Sequence, residues 1–493
     1  MRVVIPFDKG FMPDGSMLDP AALSDAVDVI PSERGMSYAP TGRAIFGVSP
    51  LAAACKGAFS ARKLDGSVRT FAGTTTKLYE LVGTTWTDRS AGGGSYTTAT
   101  HWSFAQFGDI SLASNDTDNI QQTSSGAFAA IANAPKARIV ITVPNFAVAF
   151  NTQDGSASTT FGDSPDRWWC SAYQSATDWA INAANQCVSE RLIGSGGEIT
   201  AAAPFGTGWV AYKARDIFHA HYTGDASVFT TQRVPGNWGC VGPDAVADIG
   251  NAHFVVGPDD IYIYDGSRPV SVAAGKLRNW LFAIPSDGNS MDATAAHLTT
   301  VRFDRARGLV WVFYPVFNGG GARCKRALVY HIATGRWGTS RYAMTKSVTT
   351  GVEAAFVKFE YTLAPEVVTI FDPSHQIMTL DGGGIVPADS LALPRLKTGM
   401  FGQNGGDTLL QRAHLFAANA ETGAIDYVVD IPRFASAGPV EYGAAVVGAV
   451  RADSRAVDFR STAAYHSIQW SLHGDFDLSG CEAFIQPAGG RAS

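Results

Sequence analysis

The stretch HFVVGPDDIYIYDGSRPVSVA, residues 253–273, decides how this chain is read. A short apolar run ends in a Gly-Pro-Asp-Asp turn. A second run alternates Ile with Tyr, a tight Asp-Gly turn follows, and a short third run closes the unit. Alternation with a period of two is the pattern of a strand, and Gly, Asn and Asp supply the backbone conformations that tight turns need.

The same order recurs along the chain. It begins at Val68 (VRTFAGTTTKLYELVGTTWTD), Ile110 (ISLASNDTDNIQQTSSGAFAAI), Gly208 (GWVAYKARDIFHAHYTGDASVFTT) and Leu309 (LVWVFYPVFNGGGARCKRALVYHIATGRWGTS). A weaker copy starts at Val367, and IVITVPNFAVAFN with DRWWCSAYQSATDW is a copy with a longer internal loop. Most copies stand about 40–55 residues apart, the spacing of four-stranded propeller blades. One such unit cannot bury both faces alone, whereas neighbours stacked around an axis bury them and leave few exposed sheet edges. The sequence therefore predicts an all-β chain with a β-propeller of six or seven irregular blades over residues 56–388.

The flanks differ. Residues 1–55 are rich in Pro and Gly and weakly periodic, which predicts an extended N-terminal arm, apart in space from the propeller and docked on the C-terminal part as a platform. Within it, DPAALSDAVDVI has a helical period, as does TDWAINAANQ at 177–186. Over residues 389–493, segments such as AIDYVVDI, AAVVGAVRA, AAYHSIQWSLHG and CEAFIQPAG predict a C-terminal β-sandwich.

Of the 493 residues, 46% are hydrophobic and 17% charged, so a large core is available and the surface relies on uncharged polar groups and Gly. Net charge is −6 and no Lys/Arg run stands out, which argues against a high-affinity nucleic-acid grip. The six cysteines, Cys55, Cys170, Cys187, Cys240, Cys324 and Cys481, are far apart and without a CxxC pair, as expected of buried thiols in a reducing compartment. The start, MRVVIPFDKG, lacks the apolar core of a secretory signal, and GLVWVFYPVF at 308–317 is too short to span a bilayer.

Four places in the sequence could carry chemistry. SNDTDN at 114–119 clusters Asp116 and Asp118 with amides, but it occupies the place of KARD and GPDD in other copies and lacks the distal Glu of a calcium loop, so it reads as a turn. His219 and His221 share one strand face at a spacing metal ligands use, without an evident third ligand. SPDRWWCSAYQSATDW gathers aromatics with Asp166, Arg167 and Asp178, the composition of a sugar cleft and equally of a blade core. Asp109, Asp166, Asp216 and Asp260 are the acids a propeller glycosidase would have to converge on its axis. No GxSxG, HExxH or P-loop pattern is present. No residue is therefore assigned as catalytic, cofactor-binding or metal-binding, and no cofactor is expected.

Several stretches together resemble the tail nozzle proteins of short-tailed bacteriophages, also named tail tubular protein B or DNA-stabilisation protein. These are DVIPSERGMSYAPTGR at 28–43, FAGTTTKLYEL with HWSFAQFGDISLASNDTDNIQQ, RWWCSAYQSATDW, VVGPDDIYIYDG, and YHSIQWSLHGDF with the PAGGRAS close. The third reads Trp169-Cys170-Ser171 where the family has Trp-Ser. The resemblance implies a non-enzymatic virion protein of the tail, assembled in the host cytoplasm as a homohexameric ring below the portal and tail adaptor. It implies contact with tail fibres or spikes, and genomic DNA passing a neutral or negative lumen without sequence-specific binding. Two alternatives remain open on residues alone: a propeller-fold carbohydrate-active tail enzyme (depolymerase), and a cytoplasmic propeller scaffold that binds proteins.

Overall fold

The computed structural model describes residues 1–488 except 157, 195, 284, 287, 320–322, 342–350, 360–365, 385–392, 403–405, 418–427, 431–447, 450–455 and 473. The chain is all-β, and among the described residues six of its sheets are four-stranded and antiparallel. In chain order, the first comprises Gly57–Arg62, Val68–Gly73, Leu78–Val82 and Thr85–Asp88. The second comprises Ser103–Phe107, Ile110–Ser114, Gln121–Thr123 and Ala129–Ala130. The third comprises Lys136–Val143, Phe146–Gln153, Asp163–Cys170 and Ser189–Arg191. The fourth comprises Ile199–Phe205, Gly208–Lys213, Ile217–Tyr222 and Phe229–Arg233. The fifth comprises Val246–Asp248, His253–Val256, Ile261–Tyr264 and Pro269–Ser271. The sixth unit, Thr300–Asp304, Leu309–Tyr314, Arg326–His331 and Arg336–Ser340, is one end of a ten-stranded sheet. The seventh has Ala354–Lys358, Val367–Phe371 and Ile377–Thr379, and takes its fourth strand from Arg43–Ala44 near the start of the chain.

The first strand of each unit lies against the first strand of the next, and Ala354–Lys358 of the seventh lies against Gly57–Arg62 of the first. The units thus neighbour one another in a closed circle. Second strands such as Gly208–Lys213, His253–Val256 and Leu309–Tyr314 are buried along their whole length, because a unit inside the circle has a neighbour on each face. Separate apolar clusters fill the seams. One joins Phe150 and Trp168 of the third unit to Trp209 and Phe229 of the fourth, and another joins Phe356 and Phe371 of the seventh to Trp86 of the first.

The flanking segments are woven into the same structure. Val29–Pro31 pairs with the outer strand of the sixth unit at Thr339↔Val29. Beyond it the sheet continues through Met36–Tyr38, Asp477–Pro487, Thr408–Ala417 and Ala456–Ala463, with Arg2–Pro6 also on Asp477–Pro487. A second sheet orders Asp25–Val27, Arg395–Lys397, Gln469–Ser471, Val428–Asp430 and Gly448–Ala449. Leu396 and Trp470 of the second sheet share one buried cluster with Leu410, Leu415 and Ile485 of the first, and with Phe254 and Trp337 of the fifth and sixth units.

Three expectations differ from what is found. DPAALSDAVDVI is not helical: Asp25–Val27 and Val29–Pro31 are strands of two different sheets. Between them Asp28 takes the left-handed conformation (φ 55°), and its carboxylate accepts from the Arg341 backbone N–H at 2.6 Å and Nε at 2.7 Å. Consecutive burial of Ala26, Val27, Val29 and Ile30 mimics a helical stripe, but it arises because the chain passes between two layers. TDWAINAANQ holds only a 3₁₀ turn at Ala183–Asn185. The expected separation in space fails at Thr339↔Val29 and at Arg43–Ala44, where the first 55 residues join the repeated units directly. Most of AIDYVVDI and AAVVGAVRA lies outside the described residues.

Candidate functional site

SNDTDN links Ile110–Ser114 to Gln121–Thr123 within the second sheet. Asn115 is buried, and its Oδ1 accepts from the backbone N–H of Thr117 (3.2 Å) and Asp118 (2.9 Å), while its Nδ2 donates to Asp118 Oδ2 at 2.9 Å. Asp118 also accepts from the Thr97 N–H at 3.0 Å and hydroxyl at 3.1 Å. Asp116 has φ 72°, a conformation that Asp and Asn tolerate best among residues with a Cβ. The cluster's acceptors are spent on ordering the loop and tying it to the loop before the second sheet.

The aromatic–acid segment is core and surface rather than cleft. Trp168, Trp169 and Trp179 are buried, and Trp168 packs on Trp209 with ring centroids 5.2 Å apart. Asp166 is held from both oxygens by Arg191, at 2.9 Å from Nε and from Nη2. Asp178 accepts from Asn133, Asn185 and the Ala180 N–H. Arg167 lies over the Phe161 ring at 4.0 Å. Asp109 accepts from the Leu64 N–H at 2.8 Å, Asp216 is buried against Arg233, and Asp260 accepts from Ser271 Oγ at 2.8 Å. Burial raises the Asp260 pKa, against hydrogen bonding from Ser271 and the charge of Arg278.

His219 and His221 bring their rings to 4.1 Å. Tyr264 donates to the Gly266 carbonyl at 3.2 Å, so its oxygen accepts from His219 Nδ1 at 3.1 Å. Burial, then the neighbouring His221 and His253, push the His219 pKa down to about 4. His253 is fixed between the Tyr212 hydroxyl (2.7 Å) and the Pro204 carbonyl (2.9 Å). Among the described residues no group of three or more His, Cys, Asp or Glu side chains is placed to hold a metal. All six cysteines are buried and none is joined in a disulfide. Burial pushes the thiols of Cys55, Cys170, Cys187, Cys240 and Cys481 up to about 12.

The feature that none of the candidate acids and histidines builds is a cavity of about 930 Å³, enclosed by the first strands of the units. Part of its polar wall comes from residues one or two places ahead of a first strand, Lys56, His101, Asp244 and Glu353, and the rest includes Arg138, Arg302, Arg323 and Lys325. Asp244 joins three units: it pairs with His101 Nε2 at 2.8 Å and with Arg302, whose Nε donates to the Ala355 carbonyl at 2.8 Å. Burial deep in the molecule would raise its pKa, but the charges and hydrogen bonds of Arg302 and His101 hold the carboxyl well below the usual range. Glu353 pairs with Arg323 (3.0 Å) and His375 (2.9 Å) and accepts from the Cys55 N–H at 3.0 Å. Arg138, also on the wall, pairs with Glu198 at 2.8 Å. Asp109, Asp166, Asp216 and Asp260 do not line this cavity. The signal that could have found part of its wall was the polar residue ahead of the first strand in the first, second, fifth and seventh units, which a repeat aligned on second strands leaves out.

Geometrically this is a set of ion pairs around a central cavity, some joining neighbouring units (Arg138–Glu198, Asp244–Arg302, Arg323–Glu353) and one, His101–Asp244, crossing from the second unit to the fifth. No family model matches the chain. No curated protein matches it. Among solved structures, one described as "YCF48 bound to D1 peptide" matches with 13% identity and TM-score 0.40, over 72% of this chain and 99% of that one. The computationally designed Ika8 protein matches with 14% identity and TM-score 0.36, over 67% of this chain and 97% of that one.

Proposed function

We propose that the seven four-stranded units are the blades of a β-propeller closed by Arg43–Ala44, that the two flanking sheets face each other as a sandwich-like platform, and that the chain is a structural subunit of a short-tailed phage tail nozzle. In this role it forms a homohexameric ring below the adaptor, docks fibres or spikes, lets genomic DNA pass, and catalyses nothing. One observation carries the non-enzymatic part. The carboxylates that hydrolytic chemistry would require are committed as loop acceptors or ion-pair partners: Asp118 to Thr97, Asp166 to Arg191, Asp178 to Asn133 and Asn185, Asp244 to Arg302. The structural part is supported by the ten-stranded sheet, which joins both flanking segments to one blade, as suits a subunit that transmits force between rings. Native mass spectrometry and electron microscopy of the purified full chain test the assembly, with rings of about six subunits expected from closed cyclic symmetry. A protein that stays monomeric at every concentration overturns it. Incubation with host surface polysaccharide should release no oligosaccharide; release that disappears in Asp166→Asn or Asp178→Asn overturns the non-enzymatic reading.

A further inference from the structure

The seam between the sixth unit and the flanking sheets holds a groove of about 390 Å³ whose charged lining, among the described residues, is cationic: Lys325, Arg326, Arg341 and Arg395. Lys325 immediately precedes and Arg326 begins the return strand of the sixth unit's central hairpin, Arg341 follows its last strand, and Arg395 opens Arg395–Lys397 of the second flanking sheet. Two of the four charges are matched from behind, Arg341 by Asp28 and Arg395 by Asp25 at 2.8 Å. Lys325 Nζ donates to the Gly319 carbonyl.

Arg326 is the anomaly. It is 7% exposed, yet no carboxylate pairs with it among the described residues. Its Nη1 donates to Asn289 Oδ1 and, at 3.2 Å, to the Gly288 carbonyl, its guanidinium lies 5.7 Å from the Trp280 ring centroid, and its Nε is buried without a hydrogen-bond partner. A guanidinium removed from water without a counter-ion is strongly disfavoured, and such groups are ordinarily paired. The counter-charge it lacks would sit in the groove that the Arg326 side chain lines, while the sealed Nε stays unpaired. Among the described residues, two positive charges, those of Lys325 and Arg326, remain after Asp25 and Asp28 are set against Arg395 and Arg341, and that matches one phosphate dianion.

We propose that this groove binds a phosphate group, free or as a monoester, with Arg326 as its principal ligand and Lys325, Arg341 and Arg395 completing the cradle. A planar donor fork matches tetrahedral oxyanions, and several cations in one small concavity favour a dianion over a single carboxylate. Because the walls come from the sixth unit and both flanking segments, the bound anion would also tie the seam together.

The test is a titration of the full-length protein with inorganic phosphate and, separately, glycerol phosphate, at ionic strength held constant with sodium chloride, followed by calorimetry and by thermal unfolding. Saturable binding with a rise in Tm is expected, since a ligand held only by the folded state stabilises it. Preference for one of the two probes tells free phosphate from a monoester. Arg326→Gln should weaken binding by about tenfold or more, the scale of a lost charged hydrogen bond, and remove the phosphate-dependent rise in Tm. Should Arg326→Gln fail to fold, the half-exposed Arg395→Gln carries the test, with several-fold weaker binding expected. No saturable binding by the wild-type chain, or equal binding by wild type and the folded variant, overturns the proposal.

Discussion

Asp116 and Asp118 stand two residues apart and make different demands. Asp116 needs only tolerance of φ 72°, which Asn also has, so Asp116→Asn should change stability by less than about 0.5 kcal/mol. Asp118 accepts from the Thr97 N–H and hydroxyl and from Asn115 Nδ2. An amide there keeps its oxygen on the Oδ2 side, facing Asn115 and the Thr97 N–H, and turns the Oδ1 acceptor into a donor against the Thr97 hydroxyl while losing the charge, so Asp118→Asn should cost about 1 kcal/mol in a urea titration. Equal effects would show that the Asn115–Asp118–Thr97 network contributes nothing. His219 makes the pH-dependent counterpart. Its folded pKa is near 4 against an ordinary 6.5, so between those values the unfolded chain binds more protons. Stability is therefore full above about pH 6.5, falls as pH drops toward 4, and levels off below, with an upper bound of about 3 kcal/mol from this group. The groups facing it are His221, His253 and Tyr264, and His253 is depressed by burial in the same direction. His219→Gln should flatten the pH 4–6.5 slope of the denaturation midpoint; an unchanged slope would refute the assignment.

The elements of the repeat were legible to different degrees, and the reason is position in the circle. Six copies seen in the sequence begin on second strands, at Val68, Ile110, Gly208, His253, Leu309 and Val367. These strands are sandwiched between neighbours and read as strong apolar runs. First strands such as SFAQF at 103–107 and ITAAAPF at 199–205 surround the central cavity, where small, large, polar and apolar side chains all line the wall, and such a mixture gives little periodic signal. The polar wall of the cavity went unread for the same reason. Closure by Arg43–Ala44 was illegible because a two-residue strand has no period, and its partner lies more than 300 residues away. That closure is testable: the Ile45 N–H donates to the Ile377 carbonyl at 3.3 Å, and Ile45→Pro removes it at the point where the circle closes. A loss of about 1–3 kcal/mol is expected, together with faster hydrogen exchange across the seventh sheet. The junction of the flanking strands has its own probe. A Cβ on Gly35 would stand 2.1 Å from the Leu478 carbonyl oxygen, where Met36–Tyr38 meets Asp477–Pro487. Backbone on both sides cannot yield cheaply, so Gly35→Ala should cost about 2–3 kcal/mol and lower the Tm.

At the scale of the molecule, the composition that suggested three separate parts does not translate into three separate cores. Residues from the start of the chain (Ile5, Phe7, Leu23), from the fifth and sixth units (Phe254, Tyr330, Trp337) and from the end (Leu410, Trp470, Ile485) belong to one buried cluster. A sheet edge and an apolar face would both be exposed if the last part were removed: Met36–Tyr38 would lose Asp477–Pro487 as its neighbour, and Ile5 and Met36 would lose their cover. Deleting residues 391–493 should therefore leave a chain that aggregates or unfolds at a markedly lower temperature, instead of a soluble set of blades. The intact chain should show a single calorimetric transition in which the sixth unit and the flanking sheets melt together. Two well-separated transitions, or a truncated chain with the intact chain's Tm, would show that the shared cluster does not couple the parts. The consequence for the nozzle proposal is practical. Truncation cannot separate assembly from folding, so ring formation has to be probed by exposed substitutions on the outer flanking strand Ala456–Ala463, whose residues alternate between buried and exposed. Changing its exposed Asp458 or Arg460 to residues of opposite charge should leave the Tm within a few degrees, as surface substitutions do, and, if that face meets a neighbouring subunit, reduce the yield of rings.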